Sequence, residues 1–360
     1  MADLDVRERV PLAPFSTLGV GGPARYYVKA ADDATVRAAV EWARARDLGL
    51  LVLGGGSNVV LADEGHAGLV VHLATRGVAA RERPEGMEVT ARAGEPWDAF
   101  VASAVAQGWA GLECLSGIPG LMGATPIQNV GAYGQEVAET ITSVEALDLE
   151  SGRLERFATA ECGFAYRDSR FKSADKGRFV VMGVTYLLRP GGAPAVRYGE
   201  LARHLAERGT TRPSLAEVRE AVITLRKRKS MVLDPLDPES RSVGSFFTNP
   251  IVPAQVADGI EAALRQEGQI GPDEHAPRFP ARDGHVKLSA AWLIERAGLA
   301  KGYGRGTVGL SRRHTLAIVN RGGAGSADVV ALAREVRDRV RGRFGITLVP
   351  EPVFVNVPFD

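Results

Sequence analysis

The sequence contains few cysteines and no excess of charge of either sign. Cys114 and Cys162 are the only cysteines among its 360 residues, which is too few for a disulfide framework or a cysteine-based zinc site. Its 44 basic and 43 acidic side chains give a formal net charge of +1. A general nucleic-acid-binding protein needs a basic surface to displace counterions. We therefore expect a protein of a reducing compartment that does not bind nucleic acid.

Long hydrophobic runs are also missing. No segment approaches the roughly 20 apolar residues that span a bilayer. Residues 1–9 are charged where a secretory signal would be apolar. The chain is therefore predicted to be soluble and cytoplasmic, without membrane insertion, whereas its oligomeric state is unknown from these features.

Apolar periodicity divides the chain into three predicted α/β regions. Residues 1–77 alternate strands with a helix, residues 78–208 are rich in strands, and residues 209–345 carry helices between shorter strands. A strand near residues 346–360 is a candidate to return to the first region. The length of the chain agrees with two or three domains.

Local signals define individual elements within these regions. Asp32 and Asp33 predict the start of a helix, and Ser214 with Glu217 forms a capping box for a helix that ends near Arg228. Residues 347–349 are predicted to form a strand.

The most informative stretch runs from residue 116 to residue 134 and has almost no periodic apolar face. Long loops without secondary structure are uncommon in compact domains unless they bind a ligand or are disordered, and polar low complexity is absent here. We interpret the stretch as a cofactor-binding loop. The residues that carry this interpretation are Ser116, Gly117, Ile118, Pro119, Gly120, Gly123, Ala124, Gln128, Asn129 and Ala132.

A second glycine cluster follows the short apolar run of residues 50–53. It consists of Gly54, Gly55, Gly56, Ser57 and Asn58. Successive glycines after a strand expose backbone N–H groups that can bind a diphosphate. A hairpin turn is the alternative for an isolated triple glycine, but two such loops in one chain favour a dinucleotide.

Two segments match the dinucleotide fingerprint G-x-G-x-x-G without its context. Residues 304–309 fit the motif, and residues 19–24 fit a looser form. The motif holds a diphosphate only where it leaves a strand and opens a helix, whereas residues 315–319 read as a strand. We expect neither segment to bind phosphate in this manner.

Ser245 lies between Gly244 and the aromatic pair Phe246 and Phe247. No histidine is near in sequence to accept its proton, so it is a poor nucleophile. A neutral hydroxyl is a weak acid and protonates only a very strong base such as a carbanion. The alternative is a serine whose hydroxyl bonds to the backbone of a turn.

Three charged residues are further candidates. Arg167 lies in a charged segment between two phenylalanines and suits a bidentate contact with a carboxylate, unless it pairs with Asp168. Glu351, between two prolines, would have a raised pKa if buried and could donate a proton or hydrogen bond, unless it faces solvent from an edge strand. Lys229 could hold a phosphate, although helix C-termini favour cations in any case.

Together these segments resemble the UDP-N-acetylenolpyruvoylglucosamine reductase family, flavoenzymes that make UDP-N-acetylmuramate for bacterial peptidoglycan. The resemblance covers nearly the whole chain, and residues 196–200 are similar to the tyrosine loop of the family's first type. The most specific segments are residues 54–58, 116–134, 166–169, 244–247 and 350–351.

The resemblance implies an α/β (α+β) fold: a two-subdomain FAD-binding unit of the vanillyl-alcohol-oxidase type, then a C-terminal α/β domain that closes over a UDP-sugar. NADPH would reduce non-covalently bound FAD, and a hydride would then pass from the flavin to the vinyl CH2 carbon of the enolpyruvyl ether. Arg167 and Glu351 would stabilise the resulting enolate, and Ser245 would protonate the carbon.

The same resemblance assigns binding roles and implies no metal. Tyr198 and Lys229 would hold the substrate diphosphate, and Asn249 would support the nucleotide. Residues 54–58 would cradle the FAD diphosphate, and the residues named above from the 116–134 loop would line the rest of the cofactor.

Two positions depart from the pattern, since Val353 replaces an arginine of some relatives and Thr248 replaces a common lysine. They put substrate phosphate or uridine contacts in question, and the core chemistry is unaffected. A flavin oxidase of the same fold would need a base facing the flavin, whereas Ser245 and Arg167 suit reduction of a carboxylated alkene. A non-catalytic nucleotide-binding module would not need Ser245, Arg167 and Glu351 together.

Overall fold

The computed structural model describes residues 4–304 and 306–359. The helices are α1 Asp33–Arg44, α2 Trp97–Ala106, α3 Gly199–Glu207, α4 Leu215–Arg228, α5 Ala254–Gln266, α6 Ala290–Arg296 and α7 Ser326–Phe344. The strands are β1 Arg7–Pro11, β2 Pro23–Ala30, β3 Leu50–Leu53, β4 Val59–Leu61, β5 His66–Leu73, β6 Val78–Arg83, β7 Gly86–Arg92, β8 Trp109–Ala110, β9 Gly131–Ala132, β10 Gln135–Glu136, β11 Ile141–Asp148, β12 Leu154–Ala158, β13 Phe179–Pro190, β14 Ile251–Pro253, β15 Arg278–Pro280, β16 His285–Leu288, β17 Val308–Leu310, β18 Ile318–Asn320 and β19 Val353–Val355. Helices and strands are mixed throughout, which confirms the predicted α/β class.

The chain divides into two compact units, each built from several segments. Their described residues are 4–12, 23–57 and 65–233 in the first unit, and 13–22, 58–64, 234–304 and 306–359 in the second. The structure thus groups residues 209–233 with the first unit, whereas their sequence pattern predicts that they belong to the third region. The three-domain division itself stays a prediction.

One sheet of the first unit has the strand order β1–β2–β5–β3. The strand β5 runs parallel to both β2 and β3, and β1 is antiparallel to β2. The helix α1 buries Val36, Ala39 and Val40 in one core cluster with Val28 and Val71 of the sheet. Its first turn is capped by Asp32, as predicted, because the side-chain Oδ1 accepts a hydrogen bond from the backbone N–H of Thr35 at 2.7 Å.

The second sheet of this unit is antiparallel, with the order β12–β11–β13–β7–β6. Its core includes Trp97 and Phe100 of α2 packed against Tyr186 of β13. The helices α3 and α4 form a separate buried cluster with Cys114. This apolar contact is the physical reason why residues 209–233 belong to the first unit.

The second unit combines the sheet β14–β16–β15, the β17–β18 hairpin and the helices α5, α6 and α7. The last strand, β19, runs parallel to β4. The predicted strand at residues 347–349 is wrong, since pairing in this region begins with the isolated bridge at Pro350 and continues at Val353. Proline lacks the N–H that a ladder needs, so Pro350 and Pro352 delay the strand.

The match to the dinucleotide fingerprint at residues 304–309 has a structural role. It leads into β17 rather than into a helix, and Arg305 within it lies outside the described residues. The Arg321 guanidinium donates to the carbonyls of Gly302 and Gly304 at 2.9 and 3.0 Å. A Cβ on Gly309 would overlap that guanidinium, so this glycine makes room for an arginine.

In the part of the chain that the structure describes, no helix has the length and apolar character needed to cross a membrane.

Candidate active site

The two predicted glycine loops meet within the first unit. A Cβ added to Gly55 would lie 2.8 Å from the Cα of Gly120, and one added to Gly120 would lie 2.8 Å from Ser57 Oγ. The Ser57 hydroxyl also donates to the carbonyl of Pro119 at 3.2 Å. Gly120 has a φ of 116°, a backbone conformation that disfavours other residues. Glycine is thus required for the two loops to pack against each other.

Gly117 is fixed by charged residues of α2 and α4. Its N–H donates to Asp98 Oδ1 at 2.5 Å, and Arg219 binds the same carboxylate through two bonds of 2.7 and 2.9 Å. Burial opposes ionisation of Asp98, but the hydrogen bonds from Arg219 and Gly117 outweigh it and lower the pKa. The start of the glycine loop is therefore bound to the two helices.

Arg226 lies beside the same glycine and is not among the predicted site residues. A Cβ on Gly117 would be 3.5 Å from Arg226 Nε. The guanidinium donates through Nη2 to the carbonyl of Met231 at 2.6 Å, and Nε is buried without a hydrogen-bond partner among the residues described. Burial lowers the pKa of Arg226. The available signal was its position three residues before Lys229 on one helix face.

A buried donor without a partner beside Gly117 fits a bound group that carries acceptor atoms. Other predicted cofactor residues are also accessible in this unit: Ala124 is exposed and Gln128 is half-buried. Gly123 is buried, and a Cβ there would lie 2.7 Å from that of Ala93. The residues present therefore fit a flat, phosphate-bearing cofactor. Further predicted cofactor residues that are partly exposed are Gly54, Gly55, Ser57, Asn58, Ile118, Pro119, Gly120 and Ala132.

Two predicted cofactor residues use their side chains inside the protein. Ser116 is fully buried, and its hydroxyl donates to the carbonyl of Glu113 at 2.7 Å. Asn129 is 1% exposed, and its amide donates to the carbonyl of Ala165 at 3.0 Å. Sequence patterns could not indicate these contacts, since the partners Glu113 and Ala165 lie outside the 116–134 loop.

Arg167 projects from a tight turn over the 116–134 loop. Paired backbone hydrogen bonds between Ala165 and Asp168 close the turn, with distances of 3.0 and 3.2 Å, and Arg167 has a φ of 55°. Its guanidinium donates to the carbonyls of Asn129 and Gly131. The Asp168 carboxylate accepts a hydrogen bond from the backbone N–H of Ser169 at 2.9 Å.

Tyr198 and Lys229 have two neighbours in common, Tyr133 and Glu200. Tyr198 precedes α3, and its ring packs edge-on against Tyr133, with centroids 5.5 Å apart. Lys229 directly follows α4, donates to Glu200 at 2.6 Å and lies 6.0 Å from the Tyr133 ring centroid. Burial and the nearby Glu200 raise the pKa of Tyr198, so its phenol is a neutral hydrogen-bond donor.

The segment before Tyr198 is anchored at Ala195. Its N–H donates to Glu113 Oε1 at 2.7 Å, and its carbonyl accepts a bond from Cys114 Sγ at 2.9 Å. Burial, with a smaller effect of Glu113, raises the pKa of Cys114 to about 12, so the thiol keeps the proton that it donates. This cysteine is a structural anchor and not a nucleophile.

Ser245 and Glu351 lie on adjoining segments of the second unit. The backbone N–H of Glu351 donates to the carbonyl of Phe246 at 2.9 Å, and Phe247 bridges to Pro350. Asn58 holds the same segment, because its side-chain Nδ2 donates to the Glu351 carbonyl at 3.3 Å. The structure thus places the segment that carries Ser245 beside the segment that carries Glu351.

Asn249 supports the start of α6. Its Oδ1 accepts a hydrogen bond from the N–H of Ala290 at 2.9 Å. The neighbouring Thr248 donates through its backbone N–H and its hydroxyl to the carbonyl of Val349, at 3.0 and 3.3 Å. Across the described residues, no cluster of three or more His, Cys, Asp and Glu side chains could hold a metal ion.

Comparison with known proteins connects these features. Residues 24–158 match the FAD binding domain family, and residues 234–355 match the UDP-N-acetylenolpyruvoylglucosamine reductase C-terminal domain. The crystal structure of UDP-N-acetylenolpyruvylglucosamine reductase from Thermus caldophilus is 25% identical, with a TM-score of 0.63 over 98% of each chain.

Two relatives are more similar in sequence. The UDP-N-acetylenolpyruvoylglucosamine reductase of Saccharopolyspora erythraea is 53% identical over 96% of this chain and 94% of its own. The protein of that name from Thermobifida fusca is 50% identical over 97% of both chains. With such identity along almost its whole length, the chain belongs to the UDP-N-acetylenolpyruvoylglucosamine reductase family.

Proposed function

We propose that this chain catalyses the NADPH-dependent, FAD-mediated reduction of UDP-N-acetylglucosamine enolpyruvate to UDP-N-acetylmuramate in peptidoglycan precursor synthesis. The observation that carries the proposal is 53% identity over 96% of the chain to a reductase of that name. The hydroxyl and carboxyl groups of Ser245 and Glu351, on adjoining segments, suit this chemistry.

FAD, when bound, accepts a hydride from NADPH and delivers it to the substrate double bond. We propose that residues 54–58 hold its diphosphate and that the 116–134 loop holds the rest, with the buried Nε of Arg226 beside Gly117. Both NADPH and the UDP-sugar are metabolites of the cytoplasm, which is the proposed location. No nucleic-acid partner is proposed.

Three side chains would act on the substrate itself. Arg167 would bind the carboxylate, and Arg167 and Glu351 would stabilise as an enolate the negative charge that develops next to it. The Ser245 hydroxyl would give its proton to the carbon that bears this carboxylate. Arg167 is already oriented by two backbone carbonyls, so little reorganisation is needed when charge develops.

The purified protein should be yellow with non-covalently bound FAD. Acid or heat should release the flavin into solution, because glycine loops bind through hydrogen bonds rather than a covalent link. The absorbance spectrum before and after acid precipitation checks this. NADPH oxidation should then depend on the UDP-enolpyruvyl sugar. Colourless protein that fails to take up added FAD would remove the basis of the proposal.

Substitution of Tyr198 or Lys229 should raise the Michaelis constant for the UDP-sugar more than it lowers the maximal rate. A phenol and an ammonium bind a diphosphate similarly in ground and transition states, so their loss weakens binding without slowing chemistry. Steady-state kinetics of Tyr198→Phe and Lys229→Ala at saturating NADPH measure the two constants.

Lys227→Ala is a matched control, since Lys227 is exposed on the same helix, two residues before Lys229. It removes an equal charge and should leave both constants near their wild-type values. A large fall in the maximal rate of the Tyr198 and Lys229 variants, at an unchanged Michaelis constant, would instead assign these residues to the chemistry.

A further inference from the structure

Asn129 is buried in an unusual backbone conformation. It is 1% exposed and has a φ of 46°. Among residues with a side chain, asparagine tolerates this left-handed region better than most. It lies just before the β9–β10 hairpin of the first unit.

The side-chain amide of Asn129 joins three segments of the chain. Its Nδ2 donates to the carbonyl of Ala165 at 3.0 Å and to Glu136 Oε2 at 2.8 Å. Its Oδ1 accepts a hydrogen bond from the N–H of Ala138 at 3.1 Å. Both amide hydrogens and the oxygen thus have protein partners, which fixes the orientation of the amide.

These contacts hold the turn that carries Arg167. Ala165 is the first residue of that turn, and Arg167 projects from its centre. The backbone carbonyl of Asn129 also accepts a bond from Arg167 Nη1 at 3.4 Å, and Gly131 accepts one from Nη2. One residue therefore restrains both the backbone and the guanidinium of Arg167.

We propose that Asn129 is a positioning residue that fixes Arg167 for the substrate carboxylate through its side-chain amide. The inference rests on the proposed function, because it needs Arg167 to bind the enolpyruvyl group. A displacement of about 1 Å in a catalytic group typically costs about 100-fold in rate. The effect of Asn129 should thus appear in the step that uses Arg167 and not in flavin reduction.

Two substitutions separate this role from simple loss of structure. Asn129→Asp keeps the shape and the acceptor for Ala138, but directs an oxygen at the Ala165 carbonyl and at Glu136. Asn129→Gly removes the amide and keeps a residue that accepts positive φ. Both should slow reoxidation of the reduced flavin by the UDP-enolpyruvyl sugar about 10- to 100-fold. Flavin content is measured for each variant, and both half-reaction rates are taken per bound flavin. Reduction by NADPH should slow much less than reoxidation, because only reoxidation uses Arg167.

A double-mutant cycle with Arg167→Ala tests whether Asn129 acts through Arg167. Stopped-flow reoxidation rates of the FAD-loaded single and double variants give the coupling. In the Arg167→Ala background, either change at Asn129 should cause no further slowing. The control is Asn356→Asp, the same substitution at an exposed asparagine with a φ of 57°, which should leave the rate unchanged.

Three results would overturn the inference. These are wild-type reoxidation rates in both variants, an undiminished effect in the Arg167→Ala background, or failure of both variants to retain FAD, which would make Asn129 a folding residue. Wild-type enzyme is measured first. If the UDP-sugar does not reoxidise its reduced flavin, the proposed function fails, and the inference fails with it. If the UDP-sugar does reoxidise the wild-type flavin, failure of the Asn129 inference leaves the proposed function unaffected.

Discussion

Ser245→Ala should slow reoxidation of the reduced flavin by the UDP-enolpyruvyl sugar about 10²- to 10⁴-fold, the usual contribution of a positioned proton donor. The carbon that gains negative charge after hydride transfer must be protonated, and the alanine variant has no hydroxyl to do so. The hydroxyl takes no part when NADPH reduces the flavin. Stopped-flow measurement of the two half-reactions should therefore separate them, with only the second impaired.

Ser242→Ala provides the matched control. The Ser242 hydroxyl accepts a hydrogen bond from the N–H of Gly244 at 3.2 Å, which is a structural role in the same segment. Its removal should affect both half-reactions little. If Ser245→Ala lowers the rates of both half-reactions equally, Ser245 is a structural residue as well, and the proton donor must be sought elsewhere.

Glu351→Ala should lower turnover about 10²- to 10³-fold, because it removes a preorganised donor to the developing enolate. Glu351→Gln should be milder, since an amide still donates a hydrogen bond although it cannot give a proton. Steady-state turnover with saturating NADPH and UDP-sugar distinguishes the two variants. Turnover should be highest in the wild type, lower in Glu351→Gln and lowest in Glu351→Ala.

Glu267→Gln is a suitable control for the Glu351 variants, because it changes an exposed carboxyl of the same unit. It should have wild-type turnover. Full turnover in both Glu351 variants would mean that this carboxyl does not contact the reacting group, and that Asn58 and Phe246 hold its backbone for a structural reason alone.

Sequence patterns predicted those elements whose signals are local. The strand β3 has the bounds of the apolar run at residues 50–53, because a short apolar run that ends at glycine is typical of a buried strand. The helix α4 starts at its capping box, in which the Glu217 carboxylate accepts from the N–H of Ser214 at 2.8 Å. Such signals act over three or four residues and need no tertiary partner.

Features that depend on residues distant in sequence could not be predicted from local patterns. Residues 347–349 have strand-like composition, yet pairing in this region consists of the isolated bridge at Pro350 and the ladder from Val353 onward. The partner of that ladder is β4, almost 300 residues earlier. The family resemblance identified Lys229, but the ion pair with Glu200 came from the packing of α3 against α4. Asn129 was assigned to the cofactor, because a buried amide with protein partners has the same sequence signature as one that contacts a ligand.

The pairing of β19 with β4 has a consequence for synthesis on the ribosome. Residues 13–22 and 58–64 belong to the second unit, and Leu18, Val20 and Val60 are buried in its core. These early segments emerge first, but their partners are translated last, so the second unit cannot complete its core until the C-terminus leaves the exit tunnel. Contacts of such long sequence separation slow folding. A chain terminated before Val353 would leave β4 without its neighbour, as an open edge prone to aggregation.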